Sequence, residues 1–538
     1  MEGVFASAES ELISCTESFS FFDFVALHFN EPGSNHSAFH RICSLMRKMR
    51  ARSLLVEELV ANKEIIEEKE DIEIATGKPQ KIYAKRFTFF SCDAATPRDD
   101  IADIHIIGYA VLVIVTPGKT APLQYILESV VRPPCHYHSP DSVSPVANYY
   151  IHCFRDFTTT IGTQKGQKNF TFPGTFFCQQ NGITHVCGHA ALRIAFNTLL
   201  PQYGQAKVTS REINTVLGIN EAEKGRSAQD GISVNQIIAF IKSRNMHPAV
   251  GDFDKQPQMP YEEFVYPIIE SAHPVILSIT NQKIAHVVTL LGHTLNSDRW
   301  AEAYNGYGHQ GLLAMPQYIS ASAWTDHFIE SDDNYGMYNT LPSEQVRNVL
   351  TPKYNACLHA DVAIGIMPQN AILSGLAAEF RGHAGFAFLR AALGKFPPNK
   401  WRAVLDRAAQ AKNLVLRTLL CDKTRYMASI GQAKDEKGRS CTKNELAKIS
   451  TLLPNIFWVT ELSITDLYTA NKHKLGDLIT RSDVPEGDGS IELRICGWIP
   501  GAFAYVTASG GVSLSEFSLQ GHIPVLRNCW NFDPIREW

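Results

Sequence analysis

Residues 179–192 have the sequence QQNGITHVCGHAAL, and this stretch indicates both the fold and the chemistry of the chain. Its first half is polar and rich in turn-forming residues, whereas the part after Cys187 has the apolar spacing of a helix. A cysteine at a helix N-terminus lies where backbone N–H groups and the helix dipole favour thiolate over thiol. We therefore predict that Cys187 is a nucleophile, which requires a base, an oxyanion donor and a cleft from the rest of the chain.

Composition is that of an ordinary globular protein. The 538 residues are 45% hydrophobic and 19% charged, and this length predicts about two to four domains. A formal net charge of −4 indicates neither a nucleic acid nor an anionic membrane as partner. The N-terminus lacks the features of a signal peptide, and the twelve cysteines include no CxxC pair. We therefore expect a reduced, cytoplasmic protein without a disulfide framework.

The apolar patterns divide the chain into three regions and predict a multidomain α+β protein. Residues 1–150 form an α/β-rich region of unknown role, in which an acidic run at 64–73 separates a helix pattern at 37–60 from strand patterns. Residues 151–342 contain Cys187. Residues 343–538 form a C-terminal α+β domain of unknown role in which no motif indicates a site. Either flanking region could bind a protein partner.

Residues 151–342 change from helical to strand patterns after the cysteine. The predicted elements are, in order, helices at 190–200, 210–217, 233–242 and 261–272 and strands at 274–279, 285–292 and 300–304. A helical half that carries a cysteine, followed by a β half that carries a histidine, is the order that a two-lobed thiol hydrolase requires.

His286 is the predicted base, because it opens the strand pattern at 285–292 directly after a polar segment. Asn305 lies at the end of the following strand pattern, where its amide could accept the imidazole N–H and set the tautomer. Glu302 is the alternative third group, since a carboxylate would orient the imidazole more strongly. Residues 302 and 305 point to opposite faces of a regular strand, so we expect only one of them to reach His286.

Gln180 is the predicted side-chain donor to the oxyanion, together with the backbone N–H of Cys187. Gln179 is an alternative donor, because it is the other member of the glutamine pair upstream of the thiol.

Two short clusters of cysteine and histidine do not predict a metal site. Residues 185–189 hold two histidines around Cys187 but lack the spaced second pair that zinc needs. Residues 135–138 follow two prolines and indicate a loop. With no phosphate-loop sequence and no dinucleotide fingerprint, we expect neither a metal nor a cofactor.

Residues 179–308 together resemble the papain-like cysteine peptidase superfamily, most closely its bacterial branch related to bacteriocin-processing, double-glycine peptidases. The matching features are Gln180 before Cys187-Gly188-x-Ala190-Ala191-Leu192, Gly231-Ile232-Ser233 before a helix, Pro274-Val275-Ile276-Leu277, the strand that His286 opens, and Asn305-Gly306-Tyr307-Gly308. The last is similar to the Asn-Ser-Trp-Gly of papain relatives. In the family the oxyanion glutamine usually lies one residue closer to the thiol, where this chain has Asn181.

The resemblance implies a two-lobed, papain-like catalytic domain at 151–342 that cleaves a peptide or isopeptide bond in a peptide or protein substrate. Cys187 attacks the carbonyl carbon, His286 transfers the proton, Asn305 orients His286, and Gln180 binds the oxyanion. An acyltransferase, transglutaminase or deamidase would use the same thiol chemistry. A non-catalytic interaction protein that retains only the fold is the other alternative.

Overall fold

The protein has an α+β architecture, seen here in a computed structural model, with helices packed on three large sheets. The residues that the structure describes are 10–16, 18–27, 37–59, 62–116, 123–134, 149–162, 167–199, 205–219, 231–281, 285–296, 317–343, 349–351, 356–392, 400–485, 494–507 and 509–526. Among these residues, no helix is both long enough and apolar enough to cross a membrane.

The first sheet is formed by the N-terminal part of the chain. The helices of this part are α1 (Phe21–Leu27), α2 (Ser37–Lys48) and α3 (Lys63–Thr76). Its strands are β1 (Ser10–Ser14), β2 (Ser53–Glu58), β3 (Lys81–Phe90), β4 (Ile106–Thr116), β5 (Leu123–Val131), β6 (Tyr149–Ile151), β7 (Arg155–Ile161) and β8 (Lys168–Phe177). The sheet is antiparallel with the order β1-β2-β3-β4-β5-β8-β7, and β6 leaves it to join the second sheet.

The second sheet is formed by the middle of the chain. The helices here are α4 (Cys187–Leu199), α5 (Ser210–Val216), α6 (Val234–Ser243) and α7 (Tyr261–Glu270). The strands are β9 (Met246–Asp252), β10 (Val275–Thr280), β11 (Ala285–Thr294), β12 (Tyr318–Ser320), β13 (His327–Asp332), β14 (Gly336–Pro342), β15 (Val349–Thr351) and β16 (Ala356–Pro368). The order is β14-β13-β11-β10-β16-β15, with β6 paired to β11 and β9 to β16.

The third sheet belongs to the C-terminal part, together with a small two-stranded sheet. The helices are α8 (Gly375–Ala392), α9 (Lys400–Gln410), α10 (Lys423–Gln432), α11 (Lys443–Leu452) and α12 (Thr465–Asn471). The strands are β17 (Leu414–Asp422), β18 (Ile456–Ile464), β19 (His473–Lys474), β20 (Gly476–Arg481), β21 (Arg494–Ile499), β22 (Ala502–Val506), β23 (Val512–Glu516) and β24 (Ile523–Pro524). The order is β12-β17-β18-β20-β21-β22-β23, and β19 pairs with β24.

The sheets cross the region boundaries predicted at residues 150 and 342. Strands β7 and β8 lie beyond residue 150 and still belong to the first sheet, while β16 lies beyond residue 342 and belongs to the second. Strand β12 pairs in parallel with β17 and so links the middle of the chain to the third sheet. The three regions are therefore joined by shared sheets as well as by sequence.

The local elements follow from capping and burial patterns. Helix α6 begins after Ser233, which forms a reciprocal capping box with Gln236, and α3 ends at Gly77 in the left-handed conformation that glycine adopts readily. The helix pattern at 37–60 is wrong beyond Lys48, because residues 53–58 form β2 and pair between β1 and β3. Tertiary pairing thus overrides a local helical spacing in this segment.

Two further predicted elements differ from the structure. The acidic run at 64–73, predicted as a separator, lies within α3. The sequence of residues 414–427 also predicts a single strand, but β17 ends at Asp422, because the Asp422 side chain accepts a hydrogen bond from the Arg425 N–H and starts α10. The strand predicted at 300–304 lies outside the described residues.

Candidate active site

Cys187 is the first residue of α4, and its thiol is half-buried at that helix N-terminus. Every later residue of α4 is buried, so the helix holds the thiol on a rigid element. The Thr289 hydroxyl of β11 donates to the carbonyl oxygen of Ala191 at 3.2 Å and fixes α4 against that strand. In the described part of the chain the Cys187 N–H has no hydrogen-bond partner, so it is available as a donor.

His286 lies on β11 and is hydrogen-bonded to the side chain of Cys187. Its Nε2 lies 3.1 Å from Oδ2 of Asp332, at the end of the neighbouring strand β13. The pairing of Thr289 with Ser331 brings the start of β11 beside the turn after β13. The sheet register therefore brings a thiol, an imidazole and a carboxylate together in that order.

The surroundings of His286 favour its protonated form. Burial alone lowers the pKa of an imidazole, but hydrogen bonds to Asp332 and Cys187 and the charges of Asp332 and Asp333 outweigh it and raise the pKa of His286 well above its ordinary value. The Asn334 amide nitrogen also lies 3.3 Å from Nε2 of His286. Both an acid and an amide from one turn therefore contact the imidazole.

Glu330 lies on the same strand as Asp332, two positions earlier. Burial and the charge of Asp332 raise the pKa of Glu330, and together with an opposing effect of His286 they give a value of about 8. Glu330 is therefore largely neutral at pH 7. Asp332 is the carboxylate that contacts His286 directly.

The residue that contacts His286 as the third member of the site differs from the two residues that were predicted to orient it. Asn305 and Glu302 both lie outside the described residues. Asp332 was not identified from the sequence, although it follows the apolar pair Phe328-Ile329 and precedes the turn before Gly336. That strand–turn pattern is the signal that could have indicated it.

The predicted oxyanion donors are distinguished by their contacts. Gln179 is buried; its Oε1 accepts from the Ile126 N–H at 3.0 Å, and its Nε2 donates to the Asp333 carbonyl oxygen at 3.1 Å. Gln180 is half-buried, and within the described part of the chain no hydrogen bond of its side chain is seen. Gln179 is thus occupied in linking β5 to the Asp333 turn, whereas Gln180 is free to donate.

Asn181 organises the loop before the thiol. Its Oδ1 accepts from the backbone N–H of Ile183 and of Thr184, at 2.8 and 2.9 Å. Its Nδ2 donates to Oε1 of Glu68 at 2.7 Å. Because both ends of the amide are engaged, Asn181 is a turn-forming residue and does not serve as an oxyanion donor.

Glu68, from the acidic run of α3, binds the loop from beneath. Its Oε1 accepts from Tyr125 at 2.6 Å and from His185 Nε2 at 2.9 Å as well as from Asn181. The His185 ring donates through Nε2 because its Nδ1 accepts from the Asn181 N–H. Burial opposes ionisation of Glu68, but the hydrogen bonds that His185 and the Tyr125 hydroxyl donate outweigh it and lower its pKa to about 2.

Further ion pairs attach α3 to the helices that follow the thiol. Glu64 pairs with the buried Arg193 of α4, and Asp71 pairs with Arg211 of α5 at 2.6 Å. The first region therefore contributes directly to the position of the loop at 179–187. Sequence reasoning did not identify this role for the acidic run.

The clusters considered as metal sites at the sequence level have other contacts or lie outside the described residues. In His189, Nδ1 accepts from the Val186 N–H, and Nε2 lies 2.8 Å from Oδ1 of Asn214. Both nitrogens of His185 are likewise engaged within the loop. Residues 135–138 lie outside the described part.

His286, Asp332 and Asp333 also have the proximity of a possible cation site, because one ligand atom from each lies within 4.8 Å of the others. The thiol contact gives the same histidine a second possible role, as the base of a nucleophile. Comparison with protein-family models and with curated proteins found no match to this chain.

Proposed function

We propose that the chain is a papain-like cysteine hydrolase that cleaves a peptide or isopeptide bond in a peptide or protein substrate. One observation carries the proposal: the thiol at the start of α4 is hydrogen-bonded to His286, whose Nε2 meets the Asp332 carboxylate at 3.1 Å. A helix that carries the thiol, packed against antiparallel strands that carry the base and the acid, is consistent with a two-lobed papain-like domain.

The proposed chemistry follows from the charges at the site. A protonated His286 stabilises a thiolate at Cys187, and the thiolate attacks the substrate carbonyl carbon. The Cys187 N–H and the Gln180 amide donate to the oxyanion. His286 then gives its proton to the leaving amine, which departs and leaves a thioester on Cys187.

Water completes the cycle. His286 takes a proton from the water as it attacks the thioester carbonyl, and the acyl group leaves as a carboxylic acid while the thiolate is restored beside the imidazolium. Asp332 holds the imidazole in the required orientation throughout, as the acid does in Ser-His-Asp triads. In this proposal Asp332 takes the role that the sequence assigned to Asn305.

Thiol reactivity tests the first step without knowledge of the substrate. Cys441 is a matched control, because it is also half-buried and burial raises its pKa to about 12. At pH 6.5, iodoacetamide should alkylate Cys187 at least about 10-fold faster than Cys441, as measured by site-resolved mass spectrometry. His286→Ala should slow the alkylation of Cys187 by at least about 10-fold and leave the rate at Cys441 unchanged. Equal rates at the two cysteines in the wild-type chain contradict the proposal and favour a binding protein.

A peptide library separates hydrolysis from the other thiol reactions. The wild-type chain should generate new C-termini that Cys187→Ala does not generate, and Cys441→Ala should retain the wild-type products. Cleavage by Cys187→Ala overturns the assignment of the nucleophile. If products appear only with an added amine, or if glutamine side chains are converted to glutamate, the chain is a transferase or a deamidase and the peptidase proposal is wrong.

A further inference from the structure

A second cluster of ionisable side chains lies at the opposite end of β11 from His286. It contains His293 of β11, His152 just after β6, and Glu270 at the end of α7. Nε2 of His293 lies 3.1 Å from Nε2 of His152 and 3.0 Å from Oε1 of Glu270. All three side chains are buried, and their three ligand atoms lie within 4.8 Å of one another.

The tautomer of His293 determines whether its Nε2 atom donates or accepts in these contacts. Its Nδ1 lies 2.8 Å from the carbonyl oxygen of Thr294, which can only accept, so Nδ1 carries the proton. In the neutral ring, Nε2 then presents a lone pair toward His152 and Glu270. A carboxylate oxygen also presents lone pairs, so the 3.0 Å contact between them requires either a second proton on the His293 ring or a cation that both groups bind.

The surrounding contacts orient two of the three groups, Glu270 and His293. The Tyr266 hydroxyl donates to Oε1 of Glu270 at 2.8 Å, and Arg417 donates to Oε2 at 2.7 Å. The Thr294 carbonyl holds the His293 ring. Metal-binding histidines and carboxylates usually have such outer partners, which set the ring orientation and the free ligand atom.

We propose that His152, His293 and Glu270 bind one zinc ion. Two imidazole nitrogens and one carboxylate oxygen suit zinc, and ligands at its usual bond lengths in a tetrahedron lie about 3.3 Å apart. The observed separations of 3.0 and 3.1 Å are close to that value. Arg417 donates to Oε2, and Oε1, which accepts one hydrogen bond from Tyr266, keeps a second lone pair for the metal.

The site has a structural role, because its ligands are buried and come from separate segments of the chain. The ion joins β6, β11 and α7, and Glu270 extends the connection to the third sheet through Arg417 of β17. This inference is independent of the proposed function, since the metal can be measured without a substrate.

Metal content tests the proposal on the full chain. After incubation with zinc sulfate and gel filtration, the wild-type protein should retain about one zinc per chain by elemental mass spectrometry. His152→Gln and His293→Gln should each lower the zinc content at least about 10-fold. His273→Gln is the matched control, because His273 is buried and its Nδ1 also lies 2.8 Å from a backbone carbonyl oxygen.

Two further variants assign the metal to this cluster. Cys187→Ser and His286→Gln should retain the zinc, and loss of zinc in either would place the ion at the other cluster and overturn the proposal. Cobalt(II) loaded in place of zinc should give visible absorption that disappears in His293→Gln. A wild-type chain that retains neither metal also overturns the proposal and identifies the contact as an ion pair of protonated His293 with Glu270.

Discussion

The two histidines of β11 show how one strand can carry two unlike sites. His286 meets a half-buried thiol and a carboxylate from the turn after β13, whereas His293 meets a second histidine and the carboxylate of α7. Both rings are buried and both contact an acid. The nucleophile next to His286 makes a reaction possible there, while the closed set of ligand atoms around His293 favours a bound ion.

The two sites on β11 are supported by different flanking regions of the chain. The first region reaches the His286 site through Glu68 of α3, which binds the loop before Cys187. The C-terminal region reaches the His293 site through Arg417 of β17. Each end of the strand is thus supported by a different part of the chain, so variants at the His286 end should leave the His293 end unchanged.

Asp332→Asn should have the largest effect among these variants. Loss of the carboxylate lowers the pKa of His286, so the imidazolium no longer stabilises the thiolate at neutral pH. Turnover of a cleaved peptide should fall by about 10²- to 10⁴-fold, and the pH profile of Cys187 alkylation should move to higher pH. Zinc content should not change. A wild-type alkylation profile in the variant would contradict the role of Asp332.

Glu68→Gln should have an intermediate effect, confined to the thiol end of the strand. The substitution removes a buried negative charge that accepts hydrogen bonds from three donors. This loss should lower the free energy of unfolding at pH 7 by about 1–3 kcal/mol. Cys187 alkylation should slow, and zinc content should remain. Glu70→Gln is the control on the same helix, because Glu70 is exposed and bonds only to Arg211 among the described residues.

The pH dependence of stability gives Glu68 a second test. Its folded pKa of about 2 lies below the ordinary value, so its contribution is present at neutral pH and is lost as pH falls from about 4.5 toward 2. Urea unfolding at pH 7 and pH 3 should therefore show a smaller difference for Glu68→Gln than for wild type. An equal difference in both proteins would show that another group dominates acid unfolding.

Glu330→Gln should have the smallest effect, and it distinguishes the role of Glu330 from that of its neighbour Asp332. Because the pKa of Glu330 is raised to about 8, its carboxyl group is already mostly neutral at pH 7, and the amide should change Cys187 alkylation there by less than about 2-fold. Above pH 8 wild-type Glu330 ionises, so the variant should then diverge from wild type. A large loss at pH 7 would mean that Glu330, and not Asp332 alone, supports His286.

The parts of the site that sequence could predict are those set by local pattern. The polar turn and apolar spacing around Cys187 predict a helix that begins at the thiol, and α4 begins there. The polar segment before His286 and the apolar strand pattern after it predict the start of β11, which the structure has at Ala285. The α+β class follows from the same patterns, since helical and strand periodicities are readable over neighbouring residues.

Only the tertiary structure decided which distant residues accompany these two. Asp332 reaches His286 through the register of β11 and β13, and Glu68 reaches the thiol loop because α3 packs beneath it. His152 meets His293 through the pairing of β6 with β11. Sequence spacing carries no information on these contacts, because sheet pairing and helix packing bring together residues far apart in the chain. The thiol and its helix can therefore be predicted from the sequence, whereas the acidic residues beside them are brought there only by the fold.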